Sequence, residues 1–137
     1  PFEVVAVNGV EDARWVGLNW PDNIDSIASS VELENGTLII YYSTVFPKYL
    51  DQLSKIEQRD TSLADSFRKR YEIWLALHSL LFHQDQQEFE LKDAQNQDED
   101  IALSENRERA ERCRIATLAT IFAAREVKGE IDMTDPE

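Results

Sequence analysis

Residues 31–53 read VELENGTLIIYYSTVFPKYLDQL, and this stretch decides the fold. Its centre is Glu34-Asn35-Gly36. Asn and Gly accept positive φ at low cost, which a tight two-residue turn requires. The flanking segments, Ser29 to Leu33 and Thr37 to Ser43, are rich in β-branched and aromatic residues, so the spacing predicts a β-hairpin. Asn35-Gly36-Thr37 also matches a glycosylation sequon; with no secretory signal it reads as a turn. Pro47 then marks a change of period. Its fixed φ and missing N–H suit a first helical turn. Tyr49, Leu50, Leu53 and Ile56 follow at helical spacing, and Asp51 to Lys55 is a favourable i,i+4 pair.

Working outward from this unit, Phe2 to Val7 is a β-branched run that stops at Asn8-Gly9. Ala13 to Trp20 is predicted as another extended segment, with Trp15 and Leu18 pointing inward, halted by Pro21-Asp22. On the other side, Arg59-Asp60-Thr61 interrupts the Pro47 helix. Ser62 with Asp65 resembles a capping box. A long helix is then predicted from Leu63 to about Gln84, apolar on most of its surface. The last helix is predicted from about Ile101 to Val127, closed by Gly129 as a C-cap. Its first half is charged, with Glu105–Arg109 and Glu108–Arg112 at i,i+4. Its second half sets Ile115, Leu118, Ile121 and Phe122 among small alanines, which should let it pack closely on the Leu63–Gln84 helix. The expected architecture is a single α+β domain over 1–137. Antiparallel strands occupy 1–45; three helices follow within 46–127, the two long ones packed antiparallel.

Charge is unevenly placed. The chain has 137 residues, 27 Asp+Glu, 14 Lys+Arg and a net charge of −13. Eight of the acids fall between Asp85 and Glu105, against Lys92 alone. The part from about 85 to 100 is poor in hydrophobes and is predicted to be a mobile acidic connection. The tail from Ile131 to Glu137 is acidic and expected to fray. Phosphate should be repelled by such a chain, so direct nucleic-acid binding is disfavoured. No apolar run reaches the ~18 residues of a membrane span. One cysteine excludes a disulfide scaffold, and with no signal peptide the expected location is the cytoplasm. The chain opens at Pro1, which fits either removal of an initiator Met or a piece of a longer protein.

Catalytic patterns are hard to find. His78 and His83 lie five apart, too far round a helix to share a face, and read as packed or hydrogen-bonded residues. Cys113, between Arg112 and Arg114, could have a lowered pKa, yet it sits with Ala110 and Thr117 as a small core residue would. There is no Gly-x-Ser-x-Gly elbow. The four glycines, Gly9, Gly17, Gly36 and Gly129, are isolated, so no phosphate-binding loop is present. Glu88-Phe89-Glu90-Leu91-Lys92 contains a Glu-x-Lys of the metal-nuclease kind, but the segment before it is helical. No metal or other cofactor is expected, and the chain reads as non-catalytic.

What remains is apolar surface. A helix apolar nearly all round is either central in its domain or covered by a partner. Phe67, Tyr71, Trp74 and Leu81 of the Leu63–Gln84 helix, with Leu118 and Phe122 of the last, are the candidate partner-contact residues. The aromatics Trp15, Trp20, Tyr41, Tyr42, Phe46 and Tyr49 read mainly as core.

The order of three segments, the hairpin–helix unit quoted above, then FRKRYEIWLALHSLLFHQDQ, then ERAERCRIATLATIFAAREV, covers about two thirds of the chain. It resembles the region that follows the ATP-binding domain in large GHKL-type ATPases of bacterial mobile-element and defence loci. The nucleotide-binding motifs of that superfamily have no match here. The resemblance implies a part without the ATPase, serving dimerisation or partner contact. The expected function is therefore a non-catalytic interaction or oligomerisation module that binds a protein partner or itself. The alternative is an acidic imitation of nucleic acid that inhibits a DNA- or RNA-processing enzyme.

Overall fold

A computed structural model describes residues 1–93 and 101–134. In chain order it contains β1 (Phe2–Val7), α1 (Ala13–Gly17), a 3-10 turn (Ile24–Ser26), β2 (Ser29–Glu34), β3 (Thr37–Ser43), α2 (Pro47–Arg59), α3 (Thr61–Asp93) and α4 (Ile101–Thr134). The class is α+β.

The hairpin forms as its turn chemistry requires. Asn35 and Gly36 hold φ of 51° and 80°, the pair of positive values that match the twist of the flanking strands. β2 and β3 pair antiparallel with Ser29 opposite Tyr42 and Glu34 opposite Thr37. β1 corrects the expectation of a purely antiparallel sheet. It lies on the other side of β3 and runs parallel to it, Phe2 beside Leu38 and Val7 beside Ser43, in the order β1-β3-β2. The long connection from Asn8 to Ala28 makes this possible. It carries the chain past β3, as parallel neighbours require.

That connection also overturns the extended reading of Ala13 to Trp20. Asp12 caps a short helix, accepting from the Arg14 backbone N–H at 3.0 Å. Asn19 at φ 56° then turns the chain back. In a strand, Trp15 and Trp20 would point to opposite faces. Here they meet edge to face, 5.0 Å between ring centres. Trp15 Nε1 donates to the Pro21 carbonyl and Trp20 Nε1 to Ser30 Oγ. With Val7 and Ile27 they form a small core of their own.

The main core lies on the other side of the sheet, where α2, α3 and α4 pack. Tyr42 of β3, Tyr49 of α2 and Phe67 and Tyr71 of α3 form a buried ring cluster, with Tyr49 and Tyr71 at 4.3 Å. α3 and α4 run antiparallel. Contacts rise along α3 as they fall along α4: Ser66 to Glu130, Trp74 to Phe122, Phe82 to Arg112. Ala116, Ala119 and Ala123 are fully buried in this contact, and their small side chains permit close approach.

Helix boundaries differ from the sequence reading in three places. Asp60, not Ser62, starts α3: its Oδ1 accepts from the Ser62 N–H at 2.9 Å and from the Ser62 hydroxyl at 2.8 Å. Asp65 pairs with Arg68 instead. α3 continues to Asp93, so residues 85–93 are helix and not a mobile connection; 94–100 lie outside the described residues. Gln and Glu are good helix formers even where no hydrophobe marks a stripe. For the same reason Glu88 to Lys92 is helical. α4 runs through Gly129 to Thr134 and does not stop there. An interior Gly costs about 1 kcal/mol relative to Ala, but Glu130 beyond it bonds Ser66 and Arg70 of α3 and holds the next turn in place. The same continuity covers Ile131–Thr134 of the tail; 135–137 lie outside the described residues.

The two hydrogen bonds from Ser62 hold the Asp60 carboxyl below its ordinary value of 3.8. A carboxyl with a depressed folded-state pKa stabilises the fold above its unfolded value, and that contribution is lost as pH falls through the folded value. Asp60→Ala should therefore lower Tm at neutral pH by a few degrees. The gap to the wild type should close when melts are repeated in acid. A gap that persisted unchanged at low pH would show that the charge of the cap is irrelevant.

Candidate interaction surface

The long helix α3 explains where apolar surface is left over. Side chains four apart on a helix form ridges, and α3 carries several with different destinations. Phe67, Tyr71, Leu75 and Ser79 are all fully buried, and the rings of Phe67 and Tyr71 meet Tyr49 of α2 and Tyr42 of β3. Arg70, Trp74, His78 and Phe82 meet α4. Arg70 pairs with Glu126 and Glu130. Trp74 Nε1 donates to Glu126, and its ring lies 4.9 Å from that of Phe122. His78 stacks on both rings, its Nδ1 2.9 Å from the Trp74 carbonyl oxygen. Phe82 carries the Arg112 guanidinium over its face at 5.1 Å.

The ridge through Ile73, Leu77 and Leu81 is left open by the described residues. Ile73, Leu77 and Leu81 are 66, 50 and 53% exposed. Beside it, Phe2 and Val4 of β1 with Ile73, Ala76, Leu77 and Leu80 line a groove of about 330 Å³. Phe2 is itself 52% exposed. Among the described residues β1 is an edge strand, so the groove borders a sheet edge. Contiguous apolar surface of this kind marks interaction sites more often than scattered exposed hydrophobes do. Glu72 borders the groove. Partial burial pushes its carboxyl up, opposed by the Tyr42 hydroxyl and Arg68.

The candidate contact residues separate accordingly. Phe67 and Tyr71 are interior and no partner can reach them. Trp74, Leu118 and Phe122 are half-buried, and the rings of Trp74 and Phe122 pack on each other. Leu81 lies on the open ridge. The sequence reading misses Ile73, Leu77 and Phe2. A signal for the first two is nevertheless present there: Ile73-Leu77-Leu81 is one i,i+4 series, Phe67-Tyr71-Leu75 another.

Elsewhere the side chains of chemical interest are structurally engaged. Burial pushes the Cys113 thiol up, against the expectation from its arginine neighbours, and Sγ lies 3.6 Å from the Ser26 carbonyl oxygen. Arg14, Arg68, Arg70, Arg112 and Arg114 are each matched to carboxylates of this chain, so part of the acidic charge is neutralised within it. Among the described residues, no group of three His, Cys, Asp or Glu is placed to hold a metal ion, and no helix is long and apolar enough to cross a membrane.

No protein-family model, curated protein or solved structure matches this chain.

Proposed function

We propose that the chain is a non-catalytic protein-interaction module of the cytoplasm, and that its contact surface is the outer ridge of α3 with the adjoining β1 groove. The observation that carries this reading is Leu77 and its neighbours Ile73 and Leu81. They stand exposed on a helix whose other apolar ridges are buried. The resemblance to the region after the ATP-binding domain of GHKL-type ATPases fits the same role, a part that brings such domains together or docks them to a partner.

Leu77→Glu tests the reading. Glu is a good helix former at an exposed position, so far-UV circular dichroism and Tm should match the wild type. Light scattering coupled to size exclusion, and retention of a partner on immobilised protein, should both respond to the substitution. The expected result is association by the wild type and its loss in the variant, with Kd raised at least about tenfold. A wild type that stays monomeric at high concentration and retains no partner would overturn the reading.

A further inference from the structure

The open ridge of α3 has polar ends, and their signs are opposite. Lys69 precedes Ile73 by four residues and Asp85 follows Leu81 by four. Both side chains are exposed, and neither meets an opposite charge among the described residues. The ridge therefore reads cation, Ile73, Leu77, Leu81, anion. Lys69 and Asp85 stand eight positions to either side of Leu77, about 12 Å along the axis each way.

We infer that the occupant of this surface is a second copy of the same chain, with the α3 helices crossing antiparallel about a two-fold axis at Leu77. This deepens the interaction reading above and rests on it. A two-fold contact is isologous: if residue i meets j, then j meets i. About Leu77, Ile73 of one copy faces Leu81 of the other, and Lys69 faces Asp85, each contact occurring twice. Packing one i±4 ridge beside another is the commonest way for helices to cross, at about −50°. The groove between α3 and β1 gives the incoming ridge a seat. A parallel contact would set Lys69 against Lys69 and Asp85 against Asp85, so the charges select the antiparallel register. Exposed ion pairs add little affinity; their effect is on register and on rejection of wrong pairings. The apolar ridge supplies the affinity. A contact of this extent lies at the small end of specific interfaces, which corresponds to micromolar association.

The charge pattern permits a test that apolar substitutions alone do not. In Lys69→Glu, the new carboxylate of each copy faces Asp85 of the other. In Asp85→Lys, the new ammonium group of each copy faces Lys69 of the other. Both variants should dimerise at least about tenfold more weakly than the wild type. Mixed together, they should form a heterodimer near wild-type strength, because both its pairs are then of opposite charge. Sedimentation equilibrium of the two variants, separate and mixed, reads this directly. Equal association in all three samples, or no recovery on mixing, would overturn the register. A photo-crosslinking amino acid at position 77 of the full protein, expressed in its native cell, separates the two levels of the reading. Crosslinks to a second copy support the inference. Crosslinks only to another protein overturn it and leave the interaction reading standing. A probe at position 77 that crosslinks to nothing overturns both.

Discussion

Tyr71→Ala should cost about 3–5 kcal/mol, while Tyr71→Phe should be neutral or stabilising by up to about 1 kcal/mol. The ring of Tyr71 is fully buried at the meeting point of the sheet, α2 and α3, 4.3 Å from Tyr49 and 5.5 Å from Tyr42. Removing it takes away a large transfer free energy and leaves a cavity that backbone on three sides cannot close. A domain of this size is stabilised by only about 5–15 kcal/mol, so Tm should fall by about 10 °C. The hydroxyl is a separate matter. It is buried and has no hydrogen-bond partner among the described residues. A buried polar group without a partner has lost its water for nothing in return, and burial pushes the Tyr71 phenol well up. Deleting the oxygen while keeping the ring removes that penalty. Urea unfolding of the two variants separates ring from hydroxyl. A Tyr71→Phe loss as large as about 2 kcal/mol would mean the hydroxyl is satisfied in solution.

The ring cluster around Tyr71 depends on elements that differ in how far the sequence discloses them. Local chemistry is legible. Asn35-Gly36 demands positive φ and Pro47 demands a helix start, and both elements form where these residues put them. The small residues of α4 foretell close packing on α3, and Ala116, Ala119 and Ala123 are buried there. Nothing local reveals that β1 returns parallel to β3, because that depends on the path of the Asn8–Ala28 connection. The alternation over Ala13 to Trp20 misleads for a related reason. It suggests a strand where a capped helix and a single left-handed residue bring both indoles to one side.

The surface is half legible. That α3 is apolar nearly all round is plain from composition, but a residue's destination depends on which neighbours the topology supplies. α3 has the sheet, α2 and α4 around it, and these cover the ridges through Tyr71 and Trp74. No described element covers Ile73, Leu77 and Leu81. Choosing the aromatic members as partner contacts, as size alone suggests, selects the residues that the fold itself uses first. The low hydrophobe content of residues 85–93 misleads in the opposite direction. Such a segment can continue a helix without a stripe, given good helix formers.

Glu108→Ala should destabilise the fold by about 2 kcal/mol, whereas Arg112→Met should change stability by less than about 1 kcal/mol. Among the described residues, Arg112 is the one buried charge on the α3–α4 contact, 3% exposed. Among the described residues its guanidinium receives one carboxylate, Glu108, at 3.1–3.2 Å, and the face of Phe82. One terminal nitrogen, Nη1, has no hydrogen-bond partner among the described residues. Burial accordingly depresses the guanidinium pKa, with Glu108 opposing. The desolvation of such a cation is only partly offset by a single carboxylate that is itself 41% exposed. Removing Glu108 leaves the cation buried and uncompensated. Replacing Arg112 with Met instead keeps an apolar stem against Phe82 and returns Glu108 to water, so the two sides of one ion pair should differ in cost. In Arg112→Met the further loss of Glu108 should then add little, and the double variant should sit near Arg112→Met, not near the sum. Urea unfolding of the two single variants and the double variant supplies the comparison. Equal losses from the two single variants would instead make Arg112 a net source of stability. The cation would then be an organiser of the α3–α4 contact.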